Sequence, residues 1–387
     1  MVPTIAALSG QDELLNHQIA NTFAAVGEAD HSWTEKVWFT LARKDGGLQA
    51  SFGLGKYTNR NVMDGFAGVQ HGTTQRTIRA SRVLRPELDQ MAVGPLGYEV
   101  IEPFNRIGLT VGENSAQPIK WDLTWTPRLP AFFEDRDLVL ANGRRSSDVV
   151  RYHQAGTVEG WIEIDGTRHE VKPDEWFGFR DHSWGIREHV GEAQGDLVPH
   201  ASGSSGALSN DYQFNWFVSQ LQRPDGSWYE LAYYFREFRA PRGLEWFTGW
   251  INEADCSQKP LLQVYPELTL RKGDNAVMGG KIYVLQRDLG RKTVERVFEV
   301  EAIDPELGFR LNPAKYGPWK GQIHGAYKGQ SFIDGECIED VNNPEKFAAS
   351  RRWEIRDRPL RIREGDAVGY ADLESIVIGD WPGVTFV

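Results

Sequence analysis

From Trp33 onward the chain is built of short apolar or alternating runs separated by turn residues, the pattern of antiparallel strands. KVWFTLARKDGGLQASFGLG predicts a hairpin around Asp45-Gly46, and FNWFVSQLQRPDGSWYELAYYF another around Pro224-Asp225-Gly226. GTVEGWIEIDGTRHEV, KIYVLQRD, TVERVFEVEAI and LRIREGDAVGYADLESIVIG continue the same pattern. One segment differs. Ser9 precedes GQDELLNHQIANTFAAVG, in which Leu14, Ile19 and Phe23 lie near helical spacing and Gly27 supplies a stop, so a helix is expected there. HASGSSGALSN, residues 200–210, is the most Gly/Ser-rich stretch and marks a linker near the midpoint. The expected organisation is a helical segment over 1–28, a β domain over 29–198, a linker over 199–212 and a second β domain over 213–387.

The halves repeat each other. Gly156, Gly160, Ile164-Asp165-Gly166, Glu170, Trp184, Ile186 and Arg187 recur as Gly325, Gly329, Ile333-Asp334-Gly335, Glu339, Trp353, Ile355 and Arg356, at a constant offset of 169 residues. A duplicated β unit follows, with Asp165 expected to superpose on Asp334 and Trp184 on Trp353. Trp38-Phe39 and Trp216-Phe217 form a weaker echo that needs another offset. Positions kept in both copies, such as Trp184 and Arg187, are expected to serve the fold, whereas positions that differ point to a site. Arg180-Asp181-His182-Ser183-Trp184 of the first copy faces Ala349-Ser350-Arg351-Arg352-Trp353 of the second, so only the first holds an acid beside an imidazole. Strand alternation puts Arg180, His182 and Trp184 on one face and Asp181 and Ser183 on the other. Two explanations stay open: a proton-transfer site, or a structural ion-pair knot.

Composition narrows the function. The 14 Trp, 12 Tyr and 19 Phe, with 40 Gly, favour sheet and an aromatic-lined cavity suited to an apolar ligand. A net charge of −11 without a basic stretch disfavours nucleic acid. Cys256 and Cys337 stand far apart, giving neither a disulfide framework nor a Cys-based zinc motif, so a reduced cytoplasm is the default. No apolar run is long enough to span a bilayer, and no signal peptide is expected. Nine histidines include no HExxH, so no metal is expected. The glycine motifs GLGKYTNRN and GFAGVQHG match no phosphate-binding loop, and Ser183 lacks a GxSxG elbow. No cofactor is implied. Asp30-His31-Ser32-Trp33 repeats the tetrapeptide at 181–184 but lies at the far end of the first unit.

Phe179-Arg180-Asp181-His182-Ser183-Trp184-Gly185 resembles the W-[ML]-D-[HR]-E-W-G signature of the AttH/CrtC superfamily. That superfamily includes carotenoid 1,2-hydratases (hydroxyneurosporene synthases) and is similar to tocopherol cyclases and fungal lipocalin-like Diels-Alderases. Trp353-Glu354 and Gly369-Tyr370-Ala371-Asp372-Leu373-Glu374 resemble its closing strands, and GFRDHSWGIRE resembles bacterial relatives carrying RDHSWGxR. The resemblance spans roughly residues 30–387. It implies an all-β chain of two tandem lipocalin-like antiparallel barrel or sandwich units, with a hydrophobic ligand in one barrel or between the two. Asp181, His182, Trp184 and Gly185 match the signature, whereas Ser183 stands where the family has Glu. The acid then has to come from Asp181, His182, Glu188 or Glu374.

The resulting expectation is a cofactor-independent hydratase/dehydratase, isomerase or cyclase for an isoprenoid, steroid-like or aromatic small molecule. The alternative is a non-catalytic carrier of such a molecule. Asp181, His182 and Arg180 are the expected catalytic residues: either burial outweighs Arg180 and Asp181 is the proton donor, or Arg180 keeps Asp181 ionised, Asp181 orients His182 and the imidazole carries the proton, the second arrangement being favoured. Trp184, Arg187, Glu188, Trp216, Tyr370 and Glu374 are the expected substrate contacts, and a homodimer stays open.

Overall fold

The computed structural model describes residues 27–387 except 142, 188–189, 192–210, 240–242, 289–291, 315–322, 344 and 346–353. The expected N-terminal helix and the 199–212 linker therefore lie outside the described residues, but for 27–28 and 211–212. The described residues are 66% strand and 2% helix, which makes the fold all-β.

In the first unit β1 (Trp33–Arg43), β2 (Gln49–Tyr57), β3 (Val62–His71) and β4 (Thr74–Val83) run as an antiparallel meander. A second run holds β5 (Leu96–Glu102), β6 (Arg106–Val111), β7 (Ile119–Pro127) and the long β8 (Arg144–Ile164). Strand β9 (Trp176–Ile186) pairs with both β8 and β1, joining the two runs into one curled half-barrel sheet. The second unit holds β10 (Tyr212–Gln222), β11 (Trp228–Phe238), β12 (Gly243–Glu253), β13 (Gln258–Leu270), β14 (Val277–Arg287) and β15 (Thr293–Ala302). Strand β16 (Ser331–Ile338) then leaves this unit and pairs with β4, extending the first sheet. The chain returns through β17 (Arg356–Glu364) and β18 (Ala367–Ile378), and pairing of β12 with β13 closes an eight-stranded barrel.

Each unit begins with a strand that pairs with its last: β1 with β9, and β10 with β18. In register, Trp38 sits opposite Asp181 and Trp216 opposite Glu374. The Trp-Phe echo therefore marks equivalent positions, and the offset of 169 does not. Asp165 occupies a hairpin turn at φ 50°, followed by Gly166 at φ 77°. Asp334 instead lies within β16 opposite Arg79, and the two side chains are joined at 2.6 Å. Identical letters here serve a left-handed turn in one place and extended backbone in the other. Trp353, expected to match Trp184, is outside the described residues.

Three apolar clusters organise the packing. Val37, Phe39 and Leu41 of β1 enter the first unit's core with Phe52, Trp121 and Trp125. The barrel has its own core around Phe217, Leu231, Ile282 and Leu373. Between them lies a seam, where Trp38 and Ala42 meet Phe177, Phe179, Trp216, Ala232 and Tyr234. Strand β1 is thus buried on both faces, which is why Val37–Ala42 is apolar but for Thr40. Each large side chain sealed there contributes on the order of 1.5–3 kcal/mol.

Gly185, the last residue of the signature, has a backbone reason. It sits at φ +133°, and a Cβ there would lie 2.0 Å from the Asp148 carbonyl oxygen on β8. Gly185→Ala must therefore strain the backbone and part β9 from β8. A stability loss of about 2–3 kcal/mol or more is expected in urea unfolding, whereas a loss under about 0.5 kcal/mol would contradict this packing.

Candidate functional site

Strand β9 distributes the signature between two compartments. Phe177, Phe179 and Asp181 project to the seam, while Arg180 and His182 point into the first unit. His182 is fully buried, with Nε2 2.9 Å from Glu35 Oε1 and Nδ1 3.0 Å from the Tyr152 hydroxyl. Arg180 donates to Gln154 Oε1 from Nε at 3.1 Å and Nη2 at 2.6 Å, and lies over the Trp125 ring. Asp181 and His182 do not converge, because successive strand residues face opposite ways. The expected trio is therefore divided, with Arg180 and His182 inside the first unit and Asp181 at the seam.

At the seam Asp181 meets other partners. His153 on β8 lies directly opposite it in the strand register, and Arg151 projects from the same face. Arg151 Nε is 3.1 Å from Asp181 Oδ2, and Nη1 is 3.1 Å from Glu134 Oε2. Glu134 Oε1 accepts from Trp216 Nε1 at 2.9 Å and lies 3.2 Å from His153 Nδ1. The other ring nitrogen of His153 is 3.0 Å from Glu230 Oε2, which also accepts from Asn252 Nδ2 at 2.7 Å.

The charges follow from these contacts. Burial alone would raise Glu134, but the Arg151 guanidinium and the bonds from His153 and Trp216 outweigh it and hold the carboxyl at about 2. For His153 burial would favour the neutral ring; the Glu230 and Glu134 carboxylates overcome it and lift the imidazole to about 10. Asp181 is raised, by burial first, against the opposing charges of Arg151 and Arg187. Glu374 is pushed up to about 8 by burial and by the Asp181 and Glu134 charges, which prevail over Arg151 and Arg187. It is therefore mostly protonated at neutral pH while retaining partial exposure. Asp372 and Asp357 are buried on the barrel's outer face, toward the first unit; burial raises both, with the Asp372 and Glu374 charges adding to Asp357 and the Glu374 charge adding to Asp372. Ser51 Oγ donates to Asp357 at 3.2 Å, while neither carboxyl oxygen of Asp372 has a hydrogen-bond partner among the described residues.

A local two-fold relation runs through the seam. Trp38 and Trp216 meet edge to face at 5.3 Å. Phe177 and Tyr370, each four residues before the matched acid of its strand, stack at 4.6 Å and 17°. Asp181 and Glu374 complete the series. Of the expected contacts, Trp216, Tyr370 and Glu374 lie at the seam, and Arg187, which donates to Ser183 Oγ, borders it. Trp184 instead packs with Phe133, Tyr152 and His182 in the first unit, and Glu188 is outside the described residues. Among the described residues no group of three or more His, Cys, Asp or Glu is arranged to hold a metal, and no helix is long and apolar enough to cross a membrane.

The model of a family of unknown function, DUF8625, matches residues 8–236. The chain belongs to that family. No curated protein matches this DUF8625 member. Its structure is similar to that of an AttH from Nitrosomonas europaea, with TM-score 0.50 and 13% identity over 97% of this chain and 99% of that one. Kievitone hydratase from Nectria haematococca aligns with TM-score 0.43 and 11% identity over 88% of each chain. CghA with Sch210972 aligns with TM-score 0.48 and 10% identity over 91% of this chain and 90% of that one. The likeness to the Nitrosomonas europaea structure shows the fold, a pair of lipocalin-like units.

Sequence reasoning missed Glu134, Arg151, His153 and Glu230 in this DUF8625 chain. Arg151 and His153 alternate along one strand, but their partners come from segments about 20 to 80 residues away. Pairing Trp38 with Trp216 would have led from Asp181 to Glu374 as its counterpart.

The shifts give stability a pH dependence. Glu374 releases its proton near 4.5 when unfolded and near 8 when folded, so its contribution is full below 4.5 and lost as pH rises through 8. His153 acts in the same sense between 6.5 and about 10. Glu134 is opposite, contributing above 4.5 and losing that contribution as pH falls through 2. The melting temperature is expected to fall between pH 5 and 10, with a shallower slope below pH 8 in Glu374→Gln. An unchanged slope in that variant would contradict the assignment.

Proposed function

We propose that the protein is a cofactor-independent acid–base enzyme, a hydratase/dehydratase, isomerase or cyclase, acting on an isoprenoid, steroid-like or aromatic molecule at the seam. The observation that carries this is Glu374: a residue that is half-buried overall, with its carboxyl raised to about 8, beside the ionised Glu134 and the Trp38–Trp216 pair.

Glu374 gives its proton to an alkene carbon or to a leaving hydroxyl. In the first case the π pair forms the new C–H bond and a cation remains; in the second the C–O bond breaks and water departs. The ring faces of Trp216 and Tyr234, over which Arg151 already rests, suit such positive charge. Water then adds and passes a proton to the Glu374 carboxylate, or a neighbouring C–H proton returns to that carboxylate as the alkene forms. Arg151 keeps Asp181 and Glu134 in place, and their charge delays ionisation of Glu374 until the proton is transferred.

The carrier alternative has one observation in its favour: the 850 Å³ groove at the seam opens at the Phe177–Tyr370 end, with no acid of this cluster in its lining. The two readings separate when a panel of hydroxylated and unsaturated isoprenoids, steroids and aromatics is incubated with the protein in D₂O. Gain or loss of water, or deuterium incorporation, that disappears in Glu374→Gln supports the enzyme. Binding of panel members without any mass change in the wild type overturns it and supports the carrier.

A further inference from the structure

The groove at the other end of the seam has chemistry of its own. Its floor is the outer surface of the barrel, where Gln220, Tyr370, Arg361 and Glu301 follow one another across β10, β18, β17 and β15 in register. Its upper wall comes from Lys44, Arg128 and Phe177 of the first unit, with Trp228 beside them. Five cationic side chains line it against two acidic ones, on a chain whose net charge is −11. One of the acids, Glu299, is already bonded by Arg363.

The hydrogen-bond partners of Lys44 and Arg128 are backbone carbonyls: Lys44 Nζ donates to Asp174 O at 2.7 Å and Arg128 Nη2 to Pro173 O at 3.1 Å. Each has further N–H donors. Both cations also lie against aromatic faces, Lys44 over Tyr370 at 5.4 Å and Arg128 over Trp228 at 5.0 Å. Burial first, and then the neighbouring Arg128 charge, lower Lys44 against the opposing Asp174 charge. A further polar group awaits a partner. Gln220 is 1% exposed and donates Nε2–H to Gly156 O, while its Oε1 has no donor among the described residues.

We propose that this groove binds a small planar aromatic molecule bearing an anionic group and a hydroxyl or amine. The anion answers the cation surplus, and the ring lies against Tyr370 and Trp228. The hydroxyl or amine donates to Gln220 Oε1. Concave walls concentrate the positive potential, so recognition rests on charge as well as on apolar area. The proposal is independent of the acid chemistry at Glu374: a protein that binds such a ligand but turns nothing over would retain this inference and overturn the enzymatic one.

The test uses 8-anilinonaphthalene-1-sulfonate and its uncharged relative N-phenyl-1-naphthylamine as probes of the full-length protein. Arg361 and Lys281 are exposed, so Arg361→Gln with Lys281→Gln alters charge at little risk to folding. The double variant is expected to bind the sulfonate about tenfold more weakly, to bind the neutral probe within twofold of wild type, and to show a smaller salt dependence. Arg128→Gln, on the opposite wall, is expected to act in the same direction. Sulfonate binding that is absent in wild type, unchanged in these variants, or lost equally with the neutral probe would overturn the proposal.

Discussion

Glu374→Gln is expected to lower turnover by about 10²–10⁴-fold while leaving the fold in place, because the amide keeps the shape of a protonated carboxyl and removes only the transferable proton. The wild-type rate should fall as pH rises through about 8, where Glu374 ionises. Asp181→Asn should shift that limb downward, since it removes a negative charge that helps hold the Glu374 proton. Turnover of Glu374→Gln within a few-fold of wild type would exclude this carboxyl as the acid.

The largest effect on stability is expected from Glu134→Ala. This one carboxylate joins Arg151, His153 and the Trp216 indole, so its loss removes one acid each from the Arg151 and His153 contacts, which keep Asp181 and Glu230, and takes the acceptor from the Trp216 N–H inside the seam. Removing one member of such a buried charged group costs about 3–5 kcal/mol. Glu134→Gln, which can still accept from Trp216, should cost less. Urea unfolding reads both, and a cost below about 1 kcal/mol for Glu134→Ala would show that the network is solvated and dispensable.

The period-two pattern and the Asp45-Gly46 and Asp225-Gly226 turns were enough to place the first hairpin of each unit, because hairpin geometry is local: Gly46 and Gly226 adopt φ 83° and 86°. Asp181, Trp216, Tyr370 and Glu374, expected from the sequence as site residues, lie together at the seam. The expected imidazole does not. His182 adjoins Asp181 in sequence, but the pleat turns it away, and His153 reaches the seam only through the pairing of β8 with β9. Such registers depend on which strands meet across long separations, and nothing in the local pattern states them. The constant offset misled for a related reason: Ile-Asp-Gly fits a left-handed turn after β8 and extended backbone in β16 equally well by letter. The β16 excursion to the first sheet is set by tertiary contacts such as Arg79–Asp334 and leaves no periodic trace.

The protonation of Glu374 can be observed without knowing the substrate. Infrared difference spectra of the protein labelled with ¹³C-glutamate, compared between wild type and Glu374→Gln across pH 4 to 10, isolate the carbonyl stretch of this one side chain. Because neighbouring carboxyls interact with it, the band reports an apparent value for the group. The account predicts that the protonated band persists at pH 7 and disappears with a midpoint near 8. A band lost near 4.5, the ordinary value for glutamate, would contradict it.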